Sequence, residues 1–337
     1  MVKIAHLCTA LVFAAFAVVS CNKEVADGDV SKVTVSVNFL PSVSSKAQEP
    51  YDSETAISGV KLFIERVGTV SEDPEPYAVY YAENGSVDVD LEFSDTEDYS
   101  YSFKAYANFG DVSEKPEVVE FSGYFDKGMK MYGESLIDRE AASNGSLSML
   151  LKRYVGKVVV NSVKLGWSAD YTGSFTLNAI YIANAGKDNT LNAECYYNLE
   201  GTRTVTDMDQ YLYEDLGNIS MSAGDIHSQQ HFFYAYAGFT SDNFTSLVFE
   251  VTYAGEKMYY TISLDYLAEN SCTVYDFIIT GAGCDKPYGD KMSIEKSPIS
   301  VLTQTFAAEE WDTYNEKVYS EGTGYVDTEV ELNPDYN

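Results

Sequence analysis

The sequence predicts an all-β protein of antiparallel sandwiches, and three observations carry the prediction. The 337 residues include 28 Tyr and 17 Phe, types that suit the pleated, half-buried surface of a strand. Apolar residues alternate with polar ones over short runs and do not recur at helical spacing. Turn signals such as Glu83-Asn84-Gly85 and Ala254-Gly255-Glu256 separate the runs, as in β-sandwiches and unlike βαβ units.

Taken in order, the chain opens with Lys3 before an apolar run from Leu7 to Val19, ending Val18-Val19-Ser20-Cys21. That run is short for a bilayer span and places a small residue just before a cysteine, so residues 1–20 read as a lipoprotein signal peptide with Cys21 as the acylated residue. Residues 21–30 form an acidic tether. Val33, Val35, Val37 and Phe39 then share one face of a first strand over 32–40, with Thr34, Ser36 and Asn38 on the other. Residues 41–56, rich in Ser, Pro and acidic residues, read as an exposed loop, so a cut there would free only that first strand.

Val60 to Val67, Val87 to Phe93 and Tyr99 to Asn108 continue a first domain over 31–153. A second, over 154–337, takes Val155 to Leu165, Phe175 to Ala183, His231 to Tyr236, Ser246 to Tyr253, Tyr259 to Leu264 and Thr273 to Thr280. Near the C-terminus two further segments alternate. One is Ile299 to Phe306; the other is Tyr325 to Leu332, where Val326, Thr328, Val330 and Leu332 share a face opposite Asp327, Glu329 and Glu331. The second mimics the face of the first strand more closely, and reads equally as a closing edge strand.

The formal charge of −30, with no Lys/Arg cluster, excludes nucleic acid and anionic membrane surfaces as electrostatic partners. With Cys8 in the signal and Cys21 acylated, Cys195, Cys272 and Cys284 remain. An odd count gives no disulfide framework, although a Cys272–Cys284 bridge would fit a hairpin. His227 and His231 lie four apart in His-Ser-Gln-Gln-His but without a metalloprotease motif or an evident third ligand, so no metal is expected. Gly281-Ala-Gly283 has no helix after it to bind phosphate and reads as a loop. Asp88, Asp90 and Glu92 occupy the outward face of an alternating strand. With no nucleophile elbow and no cysteine beside a base, no enzymatic activity is expected. The pairs Tyr80-Tyr81, Tyr196-Tyr197 and Tyr259-Tyr260 would pack across strands or stack on glycan.

In order and spacing the chain resembles the fimbrillins, or type V pilins, the lipoprotein-derived major fimbrial subunits of anaerobic Gram-negative bacteria. The likeness is carried by the Cys21 lipobox, the isolated strand Lys32 to Leu40, Gly59-Val-Lys-Leu-Phe-Ile, Phe103-Lys-Ala-Tyr-Ala-Asn-Phe-Gly-Asp and Leu150-Leu-Lys-Arg-Tyr-Val-Gly-Lys-Val-Val-Val. It continues through Phe175-Thr-Leu-Asn-Ala-Ile-Tyr-Ile-Ala-Asn-Ala-Gly and Tyr275-Asp-Phe-Ile-Ile-Thr-Gly-Ala-Gly. The resemblance implies two tandem transthyretin-like sandwiches, export to the outer membrane with a covalent lipid on Cys21, and no other cofactor. It further implies proteolytic loss of the first strand and polymerisation by strand donation, serving adhesion and biofilm formation. The matching cut lies at Lys46-Ala47, where the family usually has arginine. Partners would be copies of the chain, other fimbrial subunits, the outer membrane through the lipid, and surface receptors. The alternatives are a tip or anchor subunit and a monomeric glycan-binding surface lipoprotein.

Overall fold

The computed structural model describes residues 30–41, 55–68, 74–94, 99–190, 193–197, 209–236, 239–240, 243–264, 267–287 and 299–306. The first unit comprises β1 (Val30–Pro41), β2 (Val60–Gly68), β3 (Glu75–Ala82), β4 (Ser86–Ser94), β5 (Tyr99–Ala107), β6 (Met131–Ile137), the short helix α1 (Arg139–Ala142) and β7 (Ser146–Arg153). The second begins with β8 (Gly156–Leu165), β9 (Phe175–Ala183), β10 (Ala185–Gly186), β11 (Cys195–Tyr196), α2 (Asp209–Leu212), β12 (Tyr213–Met221), β13 (Ile226–His227) and β14 (His231–Ala235). It continues with β15 (Phe239–Thr240), β16 (Asn243–Phe244), β17 (Ser246–Tyr253), β18 (Glu256–Ser263), β19 (Cys272–Ile279) and β20 (Ile299–Phe306). The all-β expectation holds.

In the first unit the strand order is β3-β2-β5-β6-β7-β1-β4. The sheet folds at β6–β7, joined only through Met131 opposite Arg153 and Tyr132 opposite Lys152. Its two halves enclose one core, in which Val37, Leu91 and Leu151 meet Leu62, Tyr101 and Phe103. The second unit packs β12-β9-β17-β18 against a sheet centred on β8, with β13 and β14 on one side and β19 then β20 on the other. The β17–β18 turn has Ala254 and Gly255 at φ of 51° and 88°, as a two-residue hairpin requires.

One expectation needs correction. The sheets are not purely antiparallel: β1 runs parallel to β7, and β8 parallel to β19. In each unit a late strand returns, after a long excursion through the opposite sheet, to lie beside the first one, which permits a parallel pairing. The Glu83-Asn84-Gly85 turn separates two strands, as expected, without closing a hairpin. It hands β4 to the other half of the sheet, where β4 pairs with β1.

The segment between β5 and β6 belongs to the second unit's core. Phe121 and Tyr124 are fully buried there, the Phe121 amide donates to the Lys187 carbonyl at 2.7 Å, and the Val119 amide to Asn189 Oδ1 at 2.8 Å. Beside this bracket the fully buried Arg153 donates through Nη1 and its backbone N–H to Asn270 Oδ1, at 3.3 and 3.1 Å.

Two outcomes follow from the packing. Cys284 and Tyr259 exchange backbone hydrogen bonds at 2.8 and 2.9 Å, covering the edge of β18. A Cβ on neighbouring Gly283 would lie 2.6 Å from the Tyr259 carbonyl oxygen. Gly283→Ala is therefore expected to cost about 1–3 kcal/mol in urea denaturation, because backbone must give way. Glu65, on β2, is the second case. Burial alone would raise its pKa, but the ammonium groups of Lys115 and Lys104, the latter 3.2 Å away, outweigh this and hold it below the ordinary carboxylate value of 4.5. A depressed folded value means that the group contributes stability above about pH 4.5, and that this is lost as pH falls through the folded value. Glu65→Gln should flatten the acid limb of a stability–pH curve.

Candidate functional site

The first strand lies inside its sheet, although it comes first in the described chain. Thr34 to Asn38 of β1 pair with Asp90 to Ser86 of β4, and Ser36 to Pro41 pair with Ser146 to Leu151 of β7. Strict alternation in Val33-Thr-Val-Ser-Val-Asn-Phe sets the orientation. Val35, Val37 and Phe39 are buried in the core, and Val33 packs half-buried at its margin. Burying the first three contributes about 6 kcal/mol.

On the outer face Thr34 Oγ1 donates to Asp90 Oδ1 at 2.7 Å, and Lys32 Nζ lies 3.0 Å from Glu92 Oε1. Asp88, Asp90 and Glu92 project outward, as their alternation predicts. Outer-face contacts of this kind fix register and contribute little energy. The second half of the strand is further tied by Ser36 N–H to the Gly145 carbonyl at 3.0 Å and Phe39 N–H to the Gly85 carbonyl at 2.9 Å.

This placement has a consequence for β4, whose only ladder partner among the described residues is β1. Were β1 to leave, a slot one strand wide would open between β4 and β7, floored by Phe93, Leu62 and Phe103 and lined by unpaired N–H and C=O groups on both sides. Such a slot accepts an extended segment with apolar residues at every second position. An occupant reproducing the native ladders must run antiparallel to β4 and parallel to β7.

Beyond β1 the chain is pinned again by Asn108. Asn108 Oδ1 accepts from the Ser58 amide at 2.8 Å and the Ser58 hydroxyl at 3.1 Å, while Nδ2 donates to the carbonyls of Ala56 at 2.8 Å and Met129 at 2.6 Å. Its φ of 69° is the left-handed conformation that asparagine tolerates. A cut anywhere between β1 and Ala56 would leave everything from Ala56 onward anchored. Nothing in the sequence marks Asn108 for this role.

Cys21, Lys46, Ala47 and the candidate donor residues Val326, Thr328, Val330 and Leu332 lie outside the described residues. Ile299 to Phe306, the other alternating C-terminal segment, is β20, paired antiparallel with β19 from Cys272↔Phe306 to Ile279↔Ile299. Cys195, Cys272 and Cys284 are not joined in disulfides, so the Cys272–Cys284 bridge does not form. The tyrosine pairs divide between core and surface. Tyr197 and Tyr260 are buried beside the half-exposed Tyr196 and Tyr259, Tyr80 packs against the first core, and Tyr81 is exposed.

Two crystal structures share the fold. One, a candidate cell adhesion protein from Parabacteroides distasonis, aligns with a TM-score of 0.51 at 15% identity over 83% of this chain and 99% of its own. The other, a candidate cell adhesion protein from Bacteroides eggerthii, aligns with a TM-score of 0.51 at 16% identity over 83% of this chain and 96% of its own. No family model and no curated protein matches the chain.

Proposed function

We propose that this chain is a non-enzymatic fimbrial subunit, built from two transthyretin-like sandwiches, that is exported as a lipoprotein and polymerises by proteolysis-triggered strand exchange. The observation that carries the reading is the position of β1. A strand held on both sides, followed by the Lys46 segment whose cleavage would leave Ala56 and beyond anchored by Asn108, would be a removable occupant of its slot. The shared fold with two structures described as cell adhesion proteins supports the same assignment.

In this mechanism Cys21 carries the lipid that holds the precursor at the outer membrane, and cleavage between Lys46 and Ala47 releases residues 21–46 with β1. The orphaned β4 and the exposed core then demand a replacement, which a second copy or another fimbrial subunit supplies. Val326, Thr328, Val330 and Leu332 match the spacing of Val33, Val35, Val37 and Phe39 and are the proposed donor positions. Because β1 fills its own slot until the cut, subunits would not pair in the periplasm, and the acidic surface adds mutual repulsion. Adhesion would then be exercised by the assembled fibre at the cell surface. The test is the N-terminal mass of protein from the native cell surface, run beside an unboiled gel. A start at Ala47 with a high-mass ladder is expected; a monomer beginning at acylated Cys21 contradicts shaft polymerisation.

A further inference from the structure

His227 and His231 belong to β13 and β14, two short pieces laid end to end along β8, with His227 opposite Val163 and His231 opposite Val160. Three residues separate the histidines, while only Asn161 and Ser162 separate their partners, so the outer chain carries one residue in excess and bulges. Residues four apart on a regular strand would lie about 13 Å apart. The bulge instead stacks the two rings with centroids 5.1 Å apart and brings Nε2 to within 2.8 Å of Nε2.

Polar side chains secure the bulge. Gln230 Nε2 donates to Asn161 Oδ1 at 2.8 Å, Asn161 Nδ2 donates to Asp276 Oδ1 at 2.9 Å, and the Ser162 hydroxyl donates to the same carboxylate oxygen. The His231 side chain is 2% exposed, and its Nδ1 faces Glu214 Oε1 at 3.7 Å. A carboxylate behind one ring nitrogen favours the proton there and leaves the lone pair on Nε2. His227 is the more exposed ring, open to solvent on one side.

We propose that His227 and His231 form a two-imidazole chelate for a borderline transition-metal dication, Cu2+, Ni2+ or Zn2+, bound between the two Nε2 atoms with water completing the coordination. Imidazole suits these ions and not Mg2+ or Ca2+, which take oxygen ligands. In the metal-free pair one Nε2 must donate to the other. On binding, the His227 proton passes through solvent from Nε2 to Nδ1, so both rings remain neutral and no net proton is released. Among the described residues no cluster of three or more His, Cys, Asp or Glu side chains could hold a metal, which predicts an open, modest site and not a closed structural zinc centre. The bound ion would staple β13 to β14 beside the edge strand β12, where the two sheets of the second unit meet.

The experiment is thermal unfolding and equilibrium dialysis of the full chain, without a histidine tag, against CuCl2, NiCl2, ZnCl2 and MgCl2 at pH 7.5. A raised melting temperature with Cu2+, Ni2+ and Zn2+, absent with Mg2+, is expected at one equivalent per chain. His227→Gln, whose ring is partly exposed and whose loss the fold should tolerate, is expected to weaken binding at least about tenfold, and Glu214→Gln to weaken it by about tenfold through misorientation of His231. Binding unchanged in His227→Gln, or an equal response to Mg2+, overturns the proposal, as does the lack of any shift in the parent chain at millimolar metal. The outcome is independent of strand exchange, whose proposed acceptor slot lies in the other unit.

Discussion

Val37→Asp is expected to unfold the first unit. Val37 is fully buried at the middle of β1, between β4 and β7, and a carboxylate there has no partner and no path to water. The cost is about 4 kcal/mol or more, from lost apolar burial plus an unpaired buried charge. Because β4 has no other ladder partner among the described residues, the damage does not stay on one strand. Urea denaturation followed by tyrosine and tryptophan fluorescence should show the first unit melting early, and the second, whose core takes Phe121 and Tyr124 from the β5–β6 segment, melting later but below its original midpoint. Thr34→Asn, three residues away on the outer face opposite Asp90, should cost only a few tenths of a kcal/mol and serves as the control.

Asn108→Ala is expected to cost about 3 kcal/mol. It strands the carbonyls of Ala56 and Met129 and the amide of Ser58, and puts alanine at a positive φ. The functional consequence is sharper than the energetic one. With Asn108 in place, proteolysis of the native chain should stop short of Ala56. In Asn108→Ala, limited trypsin digestion should proceed to Lys61 at the start of β2, read by mass spectrometry of the fragments.

The regular strands were legible because their alternation survives burial on one side only. Val33 to Phe39, Val87 to Phe93 and Tyr99 to Ala107 each have a dry face and a wetter one, and each is observed as a strand with the dry face inward; Phe175 to Ala183 and Ser246 to Tyr253 were legible by their β-branched and aromatic content, although Ala179 to Ala183 and Ser246 to Phe249 are buried on both faces. The strands that escaped notice break the rule locally. β6 has Gly133 on its dry face, where a Cβ would strike the Leu150 carbonyl, and Leu136 on its wet one. β7 carries Leu150 outward beside Leu151 inward, and β12 loses register between Asp215 and Ile219.

Residues 119–129 show no period at all, since their aromatic side chains fill the other unit's core from an irregular segment. Position within the sheet was likewise invisible: alternation marks β1 as half-buried but cannot say that it sits between β4 and β7, the feature on which the functional reading depends. The His227–His231 contact was hidden because their spacing suits a helix, and only a bulge brings the rings together on a strand.

The most direct test of strand exchange uses the chain cleaved once between Pro41 and Ala56 and stripped of β1 under mild denaturant. A fluorescent peptide of residues 30–41 is then titrated into the refolded acceptor. Saturable binding by this peptide and by one spanning residues 325–332, both abolished by Asp at the position of Val37 or Val330, is the predicted result. An acceptor that closes on itself and binds neither peptide, or that binds the Asp variants equally well, would contradict it.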